Sequence, residues 1–126
     1  MFLKPLLDTS EAAWTLRNAR SGMVLAEKLE TAFESAVRRR GLLGRSGLDT
    51  GTALIIAPCN SIHTFFMKFA IDAVFVSRDG RVRKVYSALP PWRIGFSWNA
   101  FAVIELRSSG AARAGTRIGD ILEITR

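Results

Sequence analysis

The chain has one cysteine and one histidine in 126 residues. A lone cysteine closes no internal disulfide, so nothing here requires an oxidising compartment. Paired Cys-x-x-Cys metal motifs are excluded as well. No apolar run approaches the ~20 residues of a membrane helix. The opening Met1-Phe2-Leu3-Lys4-Pro5-Leu6-Leu7-Asp8 has too short an apolar run for a signal peptide, and Glu11 follows at once. A cytoplasmic protein is the expectation. Repeats and low-complexity segments are absent too.

Acidic residues are few: 11 against 18 basic ones, giving a net charge of +7. Fourteen of the basic residues are arginines, and they are scattered. Only Arg38-Arg39-Arg40 form a run, at an expected helix C-terminus where the helix dipole favours cations. No helix-turn-helix, zinc-finger or aromatic RNA-binding spacing is present. A solvated basic surface is preferred to a nucleic-acid footprint, because charge alone identifies no partner.

What is there is a folded composition, with 48% hydrophobic and 23% charged residues, enough for one domain with a real core. Residues 1–12 read as an N-terminal arm and residues 13–126 as a single β-rich domain. Trp14 to Ala19 alternates as a strand does, and Ser21-Gly22 supplies a turn. Residues 23–40 admit one long amphipathic helix. The capping-box pattern Thr31-Ala32-Phe33-Glu34 argues instead for a strand over 23–29 and a helix over 32–40 ended by Gly41. Further strands are expected at Thr52 to Ala57, Ala73 to Ser77, Val82 to Tyr86, Phe101 to Leu106 and Ile121 to Thr125. Asp79-Gly80 predicts a type I′ hairpin. A short helix is expected at Ser108 to Ala114, capped by Ser108 and closed by Gly115. Strands with turns every 8–12 residues indicate a mainly β fold, a compact β-sandwich or small barrel with one or two short accessory helices.

The stretch from Ser61 to Val76 is where a site is expected. It holds the only histidine, follows the only cysteine, and sets Lys68 and Asp72 in an apolar run. Cys59 and His63 would make a thiolate–imidazole pair only if the chain bends, because a straight strand separates their Cα atoms by about 13 Å. Otherwise Cys59 is a buried small hydrophobe. Cys59, His63 and Asp72 lack standard metal-ligand spacing, and no metal or cofactor is expected. Ser61, His63 and Asp72 lack a nucleophile elbow. Apolar residues fill every odd position from Phe65 to Phe75, so a regular strand would put Lys68 and Asp72 on its other face. That face is either an internal ion pair or the floor of a pocket. The aromatic loop around Trp92 and Arg93 is then a lid over it or a plug at the end of the sandwich.

In these residues the chain resembles the family named domain of unknown function 192, small bacterial and archaeal proteins. The likeness runs through Arg40 to Arg45, Ser61 to Thr64, Met67-Lys68, Ile71 to Val76 and Asp79-Gly80. It continues through Pro91 to Arg93, Ala102 to Leu106 and Gly115 to Asp120. It implies a compact β-sandwich or barrel with one or two short helices, and it leaves the function open because the family has no assigned activity. Many relatives carry an asparagine after the Met-Lys pair and a proline two places before the aspartate; here those places hold Phe69 and Ala70.

The leading expectation is therefore a non-catalytic module for a small polar or anionic ligand, bordered by Cys59, His63, Thr64, Met67, Lys68 and Asp72 and covered by Trp92 and Arg93. The alternative is an enzyme with Cys59 as nucleophile and His63 as base. A second alternative is weak nucleic-acid association through the basic surface.

Overall fold

A computed structural model of the chain describes residues 1–8 and 13–126; the expected arm is thus described as far as Asp8, and its residues 9–12 lie outside the described residues. In chain order the elements are α1 (Lys4–Asp8), β1 (Thr15–Asn18), β2 (Val24–Ala26), β3 (Lys28–Ala32) and α2 (Ser35–Arg40). After these come β4 (Thr52–Ile56), β5 (Ser61–His63), β6 (Ile71–Val76) and β7 (Val82–Leu89). The chain ends with β8 (Ile94–Phe96), β9 (Ala102–Arg107), α3 (Gly110–Arg113) and β10 (Leu122–Thr125). Among the described residues no helix is long and apolar enough to cross a membrane.

A five-stranded sheet in the order β3-β4-β9-β6-β7 packs on a three-stranded sheet, β10-β1-β2, and β5 and β8 form a separate ribbon. Among the described residues no sheet closes into a barrel, and the fold is sandwich-like with short helices. The runs Thr-Ala-Leu-Ile-Ile in β4 and Ile-Asp-Ala-Val-Phe-Val in β6 are buried throughout, because central strands are covered on both faces. Between the sheets lies the main core, with Leu16, Ile55, Val74, Val76, Ile104, Leu106 and Leu122; Leu3 reaches it from the N-terminus. Leu42, Leu54, Ile56, Met67 and Ile71 make a second core on the opposite face of the large sheet.

Several local expectations are corrected. The split of residues 23–40 into strand and helix holds, but Thr31 lies inside β3 and the N-cap Glu34 makes no side-chain cap bond. Pairing with β4 outcompetes the capping box, since Thr31 sits in register opposite Ile55. At Gly41 the helix does end, with φ +48 and its N–H on the Val37 carbonyl. The hairpin after β6 forms, yet Asp79 keeps negative φ and only Gly80 crosses to +86. Gly80 donates to the Ser77 carbonyl (3.0 Å), which is the type I turn with a left-handed glycine rather than type I′. A Cβ at Gly80 would lie 2.4 Å from the Leu122 carbonyl oxygen, so the hairpin tip also needs glycine for contact with β10. The cap of α3 is Ser109, not Ser108, and its side chain makes no cap bond.

The largest correction concerns Phe65 to Phe75. They do not form one regular strand: β5 stops at His63, Phe66 takes φ +66, and β6 starts at Ile71. The turn is held by Thr64, whose hydroxyl donates to the Pro90 carbonyl (2.7 Å) and accepts the Arg93 N–H (2.8 Å). This pairs β5 with β8, Ser61 opposite Phe96 and His63 opposite Ile94.

Candidate functional site

The antiparallel register of β9 sorts its side chains onto two faces. Leu106 pairs with Ala53 and Asp72, and all three face the main core side. Glu105 pairs with Leu54 and Ala73 and faces the other way, under α2. There the sheet, α2 and β5 enclose an open cleft of about 420 Å³. Its apolar wall comes from Leu42, Ile56, Ile62 and Met67, and its polar rim from Arg38, Arg39, Arg40, Cys59, Ser61 and His63.

Glu105 is the most unusual group in it. The residue is 4% exposed, and its Oε1 is closed off from solvent with no hydrogen-bond partner among the described residues. Burial pushes the carboxyl up to about 7, with the positive charge of Arg45 opposing the shift. Gly41 lies beside this oxygen, where an added Cβ would stand in ordinary contact at 3.8 Å. Above it, Arg38 donates to the Phe33 carbonyl. Among the described residues the ion pairs are Arg20–Asp120 and Arg45–Glu30, so none of the three arginines of α2 is in one.

The expected site residues divide. Cys59, His63 and Met67 line the cleft; Thr64, Lys68, Asp72, Trp92 and Arg93 do not. Thr64 is fully buried in the turn already described. Lys68, Trp92 and Arg93 are exposed. Trp92 does not roof a pocket over Asp72. It packs on Phe65 and Phe66, with ring centroids 5.8 and 4.7 Å away.

Asp72 is buried, and neither an ion pair with Lys68 nor a pocket floor describes it. Its Oδ1 accepts the Ala88 N–H (2.8 Å), and its Oδ2 accepts the Ala111 N–H (3.0 Å). The first bond anchors a bulge in β7, where the register against β6 shifts and Ala88 takes φ +50. The second caps the start of α3, a service Ser109 does not perform. Asp72 is thus a buried anchor, committed at both oxygens, and does not join Cys59 and His63.

Cys59 and His63 share the cleft without bonding to each other. The Cys59 thiol donates to the Ser61 carbonyl (3.0 Å), and His63 Nδ1 accepts the Phe65 N–H (3.2 Å). Burial pushes the Cys59 thiol up, and the nearby Glu105 adds to the shift, while the Ser61 backbone as a partner of the thiolate and the charge of Arg38 oppose it. A thiol so placed stays protonated at neutral pH.

Sequence reasoning missed Glu105 and read Arg38 to Arg40 only as dipole partners. A signal for Glu105 existed: it is the lone acid in the apolar run Ala102-Val103-Ile104-Glu105-Leu106. For the arginines there was none, because a basic helix end is usual whether or not it borders a cleft.

Comparison with known proteins gives a family and a fold. The family model DUF192, described as "Uncharacterized ACR", matches residues 16–124. No curated protein matches the chain. Among solved structures, a protein of unknown function from Novosphingobium aromaticivorans is similar at 26% identity and TM-score 0.75, over 89% of this chain and 84% of that one. Another, from Sinorhizobium meliloti and described provisionally as a transcription regulator, is similar at 23% identity and TM-score 0.75, over 87% of this chain and 90% of that one.

Proposed function

The chain belongs to the DUF192 family over residues 16–124, and from the chemistry of its own cleft we propose that it is a non-catalytic binding module for a small anionic molecule. The observation that carries this reading is a buried carboxyl with an oxygen that no described residue bonds, under a cleft rimmed by three arginines that form no ion pair among the described residues. A chain folding only for stability gains nothing from an orphaned buried oxygen, which costs about 1–3 kcal/mol. In this reading Arg39, Arg40 and His63 meet the anionic group, since guanidinium forks match carboxylate and phosphate geometry. Leu42, Ile56, Ile62 and Met67 take an apolar portion, and Glu105 beneath the cleft, in its protonated form, adds no charge to repel the ligand. Cys59 borders the ligand as a neutral thiol.

Binding without chemistry is favoured over a cysteine enzyme because the thiol is committed to the Ser61 carbonyl and is pushed away from its thiolate. The description of the Sinorhizobium meliloti protein is not carried over. At 23% identity the likeness concerns fold, and the described helices here have five, six and four residues, too short to fill a major groove. Isothermal titration with inorganic phosphate and a series of small phosphorylated and dicarboxylic compounds tests the reading. Saturable one-site binding, weakened about tenfold or more in R39A/R40A, is expected. If no compound of the series binds, or the double variant binds as the wild type does, the reading fails.

A further inference from the structure

The β5–β8 ribbon carries an apolar stripe that the cleft does not use. Trp92, Ile94, Phe96 and Trp98 alternate with Arg93, Gly95 and Ser97, and the four are 56, 65, 48 and 78% exposed. Phe66, 73% exposed, packs beside Trp92. Strand alternation puts Ile94 and Phe96 on one face of β8, and the exposed Trp92, at φ +67, and Trp98, in a turn, flank the strand at its two ends. Gly95 and Ser97 are buried instead, Gly95 lying against the Tyr86 ring, where a Cβ would stand 3.3 Å away. None of the four stripe residues lines the cleft. Five large apolar side chains exposed within so short a stretch of structure mark a candidate interaction site.

We propose that this stripe is a docking surface for an anionic lipid bilayer, with the large side chains entering the interfacial region and the flanking cations meeting the headgroups. Charge supports that occupant: residues 50–71 and 80–104 contain no acid and include Lys68, Arg81, Arg83, Lys84 and Arg93. At its far end Trp98 borders a hollow shared with Arg78 and Arg83, where Asp79 is the opposing acid. Shape supports it too. Side chains that project need no complementary pocket in a headgroup layer, where tryptophan and phenylalanine partition well.

Other occupants fit less well. An added peptide strand would need free backbone groups on β8, but the Phe96 N–H donates to the Tyr86 hydroxyl (3.0 Å), which donates back to the Phe96 carbonyl (3.2 Å). Single-stranded nucleic acid needs open ring faces, yet Trp92 is already packed by Phe65 and Phe66, and Ile94 in the middle of the stripe has no ring.

Co-sedimentation with vesicles of phosphatidylcholine alone and of phosphatidylcholine with phosphatidylglycerol tests this, with tryptophan emission read in parallel. The wild type should bind the anionic vesicles with a blue-shifted emission. I94D and W98D, both at exposed positions and checked for unchanged thermal unfolding, should each bind about tenfold or more weakly. No binding to anionic vesicles overturns the proposal. So does equal binding by I94D and W98D, which would reduce the effect to net charge. An oligothymidylate that displaces the protein from vesicles and quenches the same tryptophans would reassign the stripe to nucleic acid, and that also overturns it.

Discussion

Asp72 and Glu105 are both buried carboxyl groups on adjacent strands of one sheet, one register position apart and on opposite faces. On the main core face Asp72 is completed by the chain itself, one N–H on each oxygen. On the other face Glu105 ends in a cleft with Oε1 unbonded and its proton retained to about pH 7. The contrast teaches that burial of a polar group does not by itself mark function. The discriminator is whether the fold supplies its partners. A bulge and a helix start claim Asp72, while nothing among the described residues claims Oε1 of Glu105.

The comparison is broken most easily at its structural half. Asp72→Ala leaves two N–H groups unpaired in a tight bulge and at a helix start, and should lower stability by about 4 kcal/mol in urea unfolding. A loss under about 1 kcal/mol would remove the distinction between the two carboxyls.

Glu105 sharpens the other half. Its folded-state pKa is raised from 4.5 to about 7, so between those values the native state holds a proton the unfolded chain has released. Stability should therefore fall as pH rises through that window, by roughly 3 kcal/mol in total. Glu105→Gln should flatten the slope, read from urea midpoints at several pH values. His63 also lines the cleft, so the same series on H63Q should retain the Glu105 slope.

Asp120 gives the opposite sign and a smaller effect. It bonds the Arg20 Nε (2.6 Å), the Asn18 amide (2.8 Å) and the Arg117 N–H (2.9 Å), with the Arg20 hydrogen bond first in holding its carboxyl below the usual range. Its stabilisation is present above pH ~4 and lost on acidification below it. Asp120→Asn should cost about 1–2 kcal/mol at neutral pH, because Arg20 is largely open to water, and should weaken the loss of stability on acidification. The smallest effect concerns reactivity: Cys59 in the folded protein should label with iodoacetamide more slowly at pH 8 than a free thiol does, and faster labelling would revive the enzyme alternative.

Much of this architecture was legible in the sequence. The apolar runs of β4, β6 and β9, the hairpin at Asp79-Gly80 and the helix stop at Gly41 follow from local rules, and each formed. Asp72 was rightly singled out as anomalous in an apolar strand. Its partners, however, lie sixteen and thirty-nine residues away in backbone groups that no side-chain pattern announces. Phe65 to Phe75 misled because alternation survives a turn: Met67 stays buried although Phe66 is left-handed, and no glycine marks the break. Glu105 and the arginines of α2 are separated by some sixty-five residues, and only the sheet register with the fold of α2 brings them to one cleft.

The most direct measurement is an NMR titration that follows the Glu105 side-chain carboxyl carbon and the backbone amides while a bound phosphorylated or dicarboxylic compound is added. The account predicts that the carboxyl carbon moves together with the amides of Arg38 to Gly41 and Cys59 to His63. Shifts spread over the basic surface, with the Glu105 carboxyl unmoved, would contradict it.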